Sequence, residues 1–130
     1  MTNVDIITQA YADFAEGNIP AVLAVFADDI QWTEAAGFIY GGTYVGADAI
    51  VQGVFVRMGT EWDSFQVKPE MVIGEGGNVS AIGWYEGAYH ETGRDFTARF
   101  AHWWRLADGK IASFEQVVDS VKTNEATLAR

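Results

Sequence analysis

The stretch NVSAIGWYEGAYHETGRDFTARFAHWWRLADGKIASFEQVVDS, residues 78–120, decides the fold. It reads as two long antiparallel strands joined by a tight turn at Thr92-Gly93, then a third strand after a second turn at Asp108-Gly109. Counting outward from Thr92-Gly93 sets Glu91 opposite Arg94, Tyr89 opposite Phe96, Glu86 opposite Arg99, Tyr85 opposite Phe100 and Gly83 opposite His102. Side chains alternate along a strand, so His102 shares a face with Phe96, Phe100 and Trp104. The other face carries Ile82, Trp84, Trp103 and Val117. Two readings of His102 stand together. It is the polar point of a pocket, with a glycine opposite leaving room above the ring, or it is a core histidine bonded to a neighbour.

Outward from this stretch the chain turns helical. Val4, Ile7, Tyr11 and Phe14 recur at helical spacing and predict a helix over 3–16, capped by Asn3 and stopped at Gly17. Asn18 caps a second helix, with Pro20 in its first turn, running to Ala27. Residues 30–34 read as a short strand. Residues 35–45, rich in Gly and Tyr, read as a loop or short hairpin over a pocket mouth, with Tyr40 and Tyr44 as candidate lining. A third helix opens at 46–48 and ends near Gly59, its Gly53 marking close packing against another element. Trp62 to Ile73 reads as a strand in which Pro69 signals an edge or a bulge. The polar tail from Asp119 to Arg130 reads as a short helix or a frayed end. Three helices, one early strand and four later strands give an α+β protein, with helices on one face of a curved, mostly antiparallel sheet. The apolar second face argues for a homodimer through it.

The totals narrow the chemistry. The 130 residues are 49% apolar, with five Trp and eight Phe, which predicts one globular domain spanning 1–130. Eighteen acids against eight bases give a formal charge of −10, a surface that repels phosphate backbones and anionic membranes. The absence of cysteine removes disulfides and thiolate chemistry, and two histidines are too few for a His-rich metal centre. Met1 to Ile7 lacks the pattern of a secretory signal, and no stretch reaches the length of a membrane span, so the expected location is cytoplasmic.

Four motifs carry a resemblance. They are Tyr11-x-x-Phe14-x-x-Gly17-Asn18, Phe26-Ala27-Asp28-Asp29-Ile30-x-Trp32, Tyr44-x-Gly46-x-x-Ala49-Ile50 and Trp104-x-x-x-Asp108-Gly109-Lys110-Ile111. Together, over roughly residues 4–120, the chain resembles the SnoaL-like, ketosteroid-isomerase-related proteins of the nuclear-transport-factor-2-like superfamily. That resemblance implies a cone-shaped pocket between curved sheet and helices, dimers through the sheet, and no cofactor. It admits steroid isomerases, polyketide cyclases, epoxide hydrolases and dehydratases, as well as proteins without known activity.

Site residues follow from the same resemblance. The isomerases' general-base aspartate lies seven residues after the first alanine of Ala-Asp-Asp, and counting from Ala27 reaches Glu34. Their oxyanion-hole aspartate, kept protonated by its surroundings, has His102 as its counterpart. Their helix tyrosine falls near Tyr11, about one residue out of step. The hydrolases' Arg-x-Asp pair is missing, with Gly83-Trp84-Tyr85 in its place and Gln116 where a further Asp would stand. The expected catalytic pair is therefore Glu34 and His102. The expected ligand contacts are Tyr11, Trp32, Tyr44, Tyr85, Phe100, Trp104, Phe114 and Gln116, with no metal. Such a pair suits proton transfer next to the carbonyl of a small hydrophobic molecule. The other reading is a binding or dimeric structural module without turnover.

Overall fold

The computed structural model describes residues 1–128; the last two residues of the predicted tail lie outside them. Helix α1, Asn3–Ala15, is followed by the short α2, Ile19–Leu23, and by strand β1, Phe26–Glu34. Strand β2, Gly42–Val45, folds back on β1. Helix α3, Ala47–Ile50, runs through a π-helical turn, Val51–Phe55, into α4, Val56–Glu61. Strands β3, Trp62–Glu75, β4, Asn78–Tyr89, β5, Asp95–Ala107, and β6, Lys110–Val118, follow, and α5, Ser120–Thr127, ends the described chain. The six strands form one sheet in the order β2-β1-β6-β5-β4-β3, antiparallel throughout except where β1 runs parallel to β6. The expected α+β class holds. No helix of the described residues is long and apolar enough to cross a membrane.

Several boundaries differ from the sequence reading, each for a physical reason. The cap of α1 is Thr2, not Asn3: the Thr2 hydroxyl accepts from the Asp5 amide while the Asp5 carboxylate accepts from the Thr2 amide. Helix α2 stops at Leu23 instead of Ala27, because β6 claims the next residues. Ile111 N donates to Val25 O at 2.7 Å, and Lys110 Nζ donates to Ala24 O at 2.6 Å. Pairing across the sheet here outweighs the helical run that α2 would otherwise continue. Residues 35–45 supply a second early strand, β2, so the sheet has two strands before α3 rather than one.

The central hairpin is slipped by two residues. Gly83 pairs with Phe100, Ala81 with His102, Trp84 with Arg99 and Glu86 with Thr97. The turn is a loop over residues 90–94, not the two residues Thr92-Gly93. A two-residue I′ turn needs positive φ at both centres, and a β-branched threonine resists it. Only Gly93 takes positive φ, and Thr92 Oγ1 instead donates to Ala126 O in α5 at 2.5 Å. The expected Glu86–Arg99 pair does not form. Lys68 bonds Glu86, while Arg99 donates to Glu70 at 2.5 Å and lies over the Trp84 ring. Because the slip is even, every side chain keeps its predicted face.

The inner face of the sheet packs on α1 and the α3–α4 segment. Ile7, Ile30, Ile50, Val79 and Ile111 there are fully buried. Opposite, Trp84, Trp103 and Val117 stand 40%, 44% and 60% exposed, beside Met71 and Ile73. Pro69 sits in the edge strand β3 at a register shift, as its residue type predicts. Gly83 lies beside that shift. A Cβ on it would meet Lys68 O at 2.2 Å and the Phe100 ring at 2.8 Å. Its missing side chain therefore serves close approach of β3 and Phe100, and opens no space over His102. Gly83→Ala is expected to destabilise the protein by about 1–3 kcal/mol, the usual cost of overpacking, read as a lower urea midpoint at unchanged slope.

Candidate functional site

Alternation along four strands brings the site together. Trp32 and Glu34 point inward from β1, Tyr85 from β4, His102 and Trp104 from β5, and Phe114 and Gln116 from β6. Tyr11 reaches them from α1 across the cone. All eight line one internal cavity of about 60 Å³, space for a few waters. An outer groove of about 360 Å³ lies beyond it, and Phe14, Phe55, Met58 and Phe65 border both spaces.

Polar groups in this wall form a single hydrogen-bonded chain. Trp104 Nε1 donates to Tyr11 Oη at 2.9 Å, and Tyr11 Oη bonds His102 Nδ1 at 2.6 Å. Tyr85 Oη bonds His102 Nε2 at 2.5 Å and accepts from Gln116 Nε2 at 2.9 Å. The Ala35 amide donates to Gln116 Oε1 at 3.1 Å, which fixes the orientation of that side chain. His102 is 4% exposed and stacked on Phe100, with ring centroids 4.1 Å apart. Burial with no carboxylate at either nitrogen depresses its pKa to about 3, so the ring is neutral. The two readings of His102 thus merge: it faces the cavity, and it is a fully bonded core histidine.

Glu34 is 4% exposed, and its Oε2 has no hydrogen-bond partner among the described residues. Desolvation pushes its pKa up to about 8, offset only in part by the nearby Trp32 indole. The Trp32 N–H is likewise buried without a partner. Burial raises the pKa of both tyrosine hydroxyls, Tyr11 and Tyr85. The carboxyl, the imidazole and the two phenols are therefore all uncharged at neutral pH.

Two expected contacts lie elsewhere. The Tyr44 ring packs on Gly53, where a Cβ would come within 2.4 Å of it, and its hydroxyl donates to Tyr40 O at 2.6 Å. This is the close packing that Gly53 signalled. Phe100 stands behind the wall, stacked on His102 and Tyr85 rather than bordering the cavity. Tyr40 is buried away from it, donating to Glu61 at 2.7 Å and accepting from Trp62 at 2.9 Å. Sequence reasoning missed the helical wall of Phe14, Val54, Phe55 and Met58. Their helical spacing marks them as inward-facing but does not separate cavity lining from solid core.

The two shifted groups set a pH profile for stability. Glu34 releases its proton near 4.5 when unfolded but near 8 in the fold, so stability falls as pH rises between those values. His102 takes a proton near 6.5 when unfolded but only near 3 in the fold, so stability rises with pH from 3 to 6.5. The slopes oppose each other between 4.5 and 6.5. Denaturant unfolding across pH is expected to show a plateau there and a decline from 6.5 to 8, with the decline absent in Glu34→Gln.

Comparison with known proteins places this geometry. No curated protein matches the chain by sequence. Among solved structures, a nuclear-transport-factor-2-like protein from Burkholderia thailandensis E264 is 40% identical over 98% of both chains, with a TM-score of 0.95. Another of unknown function from Burkholderia pseudomallei K96243 is 26% identical over 99% of this chain and 100% of that one, with a TM-score of 0.90. TerC, co-crystallised with polyporic acid, is 27% identical over 95% of this chain and 96% of its own, with a TM-score of 0.85. The SnoaL-like domain profile matches residues 7–114, and with the same cone of sheet and helices the chain belongs to the SnoaL-like family of the nuclear-transport-factor-2-like superfamily.

Proposed function

We propose that the chain is a cofactor-independent acid–base catalyst acting on a small hydrophobic molecule that carries a carbonyl group. The observation that carries this reading is Glu34, a buried carboxyl on the cavity wall with an unpartnered oxygen. A carboxyl left without a hydrogen bond in an apolar site is costly to maintain, and a pKa near 8 suits proton transfer close to neutral pH. Glu34 removes or returns the proton next to the carbonyl. His102 has both nitrogens bonded to tyrosines, so it acts through that chain of hydrogen bonds and fixes the orientation of both rings. Support of a coarser kind comes from TerC, whose structure was determined with polyporic acid.

A non-catalytic binding or structural dimer module is the second reading, and the outer sheet face favours the dimer in either case. Trp84, Trp103, Ile82 and Val117 form an apolar surface of the kind that a second copy covers. The functional unit proposed is a homodimer through this face.

Three outcomes are expected. Ligands found by thermal shift from a panel of hydrophobic carbonyl compounds should exchange their α-protons for deuterium, and Glu34→Gln should slow this by about 10²–10⁴-fold with binding retained. Acting as a base, Glu34 must be ionised, so the rate should rise with pH and level off above about 8. A guest bound with no exchange at any pH would leave the binding module. Trp103→Glu should convert the dimer to monomer in sedimentation, and a wild-type monomer at micromolar concentration would remove the dimer.

A further inference from the structure

The hydrogen-bonded wall holds more protons than it can use. Tyr11 Oη already accepts from Trp104, and Tyr85 Oη already accepts from Gln116, whose orientation the Ala35 amide fixes. Between them stands a neutral imidazole with one N–H and one lone pair. Three protons, two phenolic and one imidazole, are available for the two bonds to the ring. One tyrosine must donate to the ring, and the other must accept from it. The accepting tyrosine then receives two hydrogen bonds and keeps its own O–H without a partner in the chain.

Three observations identify that tyrosine. Neutral imidazole intrinsically prefers its proton on Nε2, which is the nitrogen bonded to Tyr85. Tyr85 is the end nearer Glu34: the Gln116 that bonds Tyr85 is held by the amide of Ala35, the residue next to Glu34. Glu34 Oε2 and the Trp32 N–H beside it are the other polar atoms of the cavity wall without partners among the described residues. We infer that the unpartnered proton belongs to Tyr85, and that Tyr85 is the specificity-determining donor for a guest's carbonyl or enolate oxygen seated between Tyr85, Trp32 and Glu34. Tyr11 then donates to Nδ1 and positions the ring. The site selects guests that bring an acceptor oxygen to this end, since a group with only donors would leave the Tyr85 proton buried and unbonded. The ligand class rests on the function proposed above; the assignment of the proton to Tyr85 does not.

The test uses the whole chain with cyclohexanone as the probe. Nitrogen NMR of the histidine-labelled free protein reads the tautomer of His102. A proton on Nε2 is expected; one on Nδ1, or a doubly protonated ring at pH 7, overturns the assignment. Infrared difference spectra of the bound ketone then read the hydrogen bond directly. The carbonyl stretch should move to lower frequency in the wild type, return toward its free value in Tyr85→Phe, and move further in Tyr85→3-fluorotyrosine, which donates more strongly and preserves the shape of the wall. A stretch insensitive to both changes, or no saturable binding, overturns the inference. Deuterium exchange of the same ketone reports separately on Glu34. A Tyr85-dependent stretch without exchange removes the catalytic reading alone, and exchange with a Tyr85-independent stretch removes this one alone.

Discussion

An imidazole clamped between two phenolic hydroxyls is the constraint on which the rest of the structure depends. It ties the first helix to three strands in one line, from Trp104 through Tyr11, His102 and Tyr85 to Gln116, and so to the end of β1 at Ala35. Each of these groups is costly to bury alone, and removing one partner would strand its neighbour at about 1–3 kcal/mol. Aligned, they keep a polar seam within an aromatic interior without any formal charge. That neutrality explains how the seam coexists with a carboxyl whose proton is retained by burial. A charged ring beside it would draw that proton away.

The sheet has to satisfy two different surfaces. Its inner face must curve around the helices and leave a hollow, and bare glycine backbones at Gly83 and Gly87 let β3 close tightly on β4 beside the Pro69 irregularity. Its outer face is broad and apolar, tempered by Arg99 lying over Trp84 and Arg105 over Trp103. Cations spread over indole rings keep such a face hydrated while leaving its apolar side chains in place.

Much of this was legible in the residues themselves. Strand alternation placed His102, Trp104 and Tyr85 on the inner face, and an even slip of the hairpin left that placement intact. Asp108-Gly109 takes the positive φ values its sequence announces. The turn at Thr92 was misread because its length is set by a hydrogen bond to α5, which lies 34 residues away in sequence. The end of α2 was misread for a similar reason, since β6 recruits its backbone. In the site, residue type and position pointed to Glu34, His102 and Tyr11. Tyr44 and Phe100 were misjudged because aromatic residues look alike in a sequence whether they border a hollow or fill the layer behind it. The chain of bonds joining Tyr11 to Gln116 is a product of tertiary geometry and has no local signature.

The four side chains shared by cavity and groove carry a consequence for timing. Phe14, Phe55, Met58 and Phe65 stand between the hollow and the outside, and Phe55 closes the π-helical turn. On the proposed function, a guest entering here would wait for rings to tilt and a thioether to swing. Exchange of such a guest would then be paced by side chains that also help to hold it. Trimming Met58 would widen the doorway and enlarge the chamber together, because its side chain borders both.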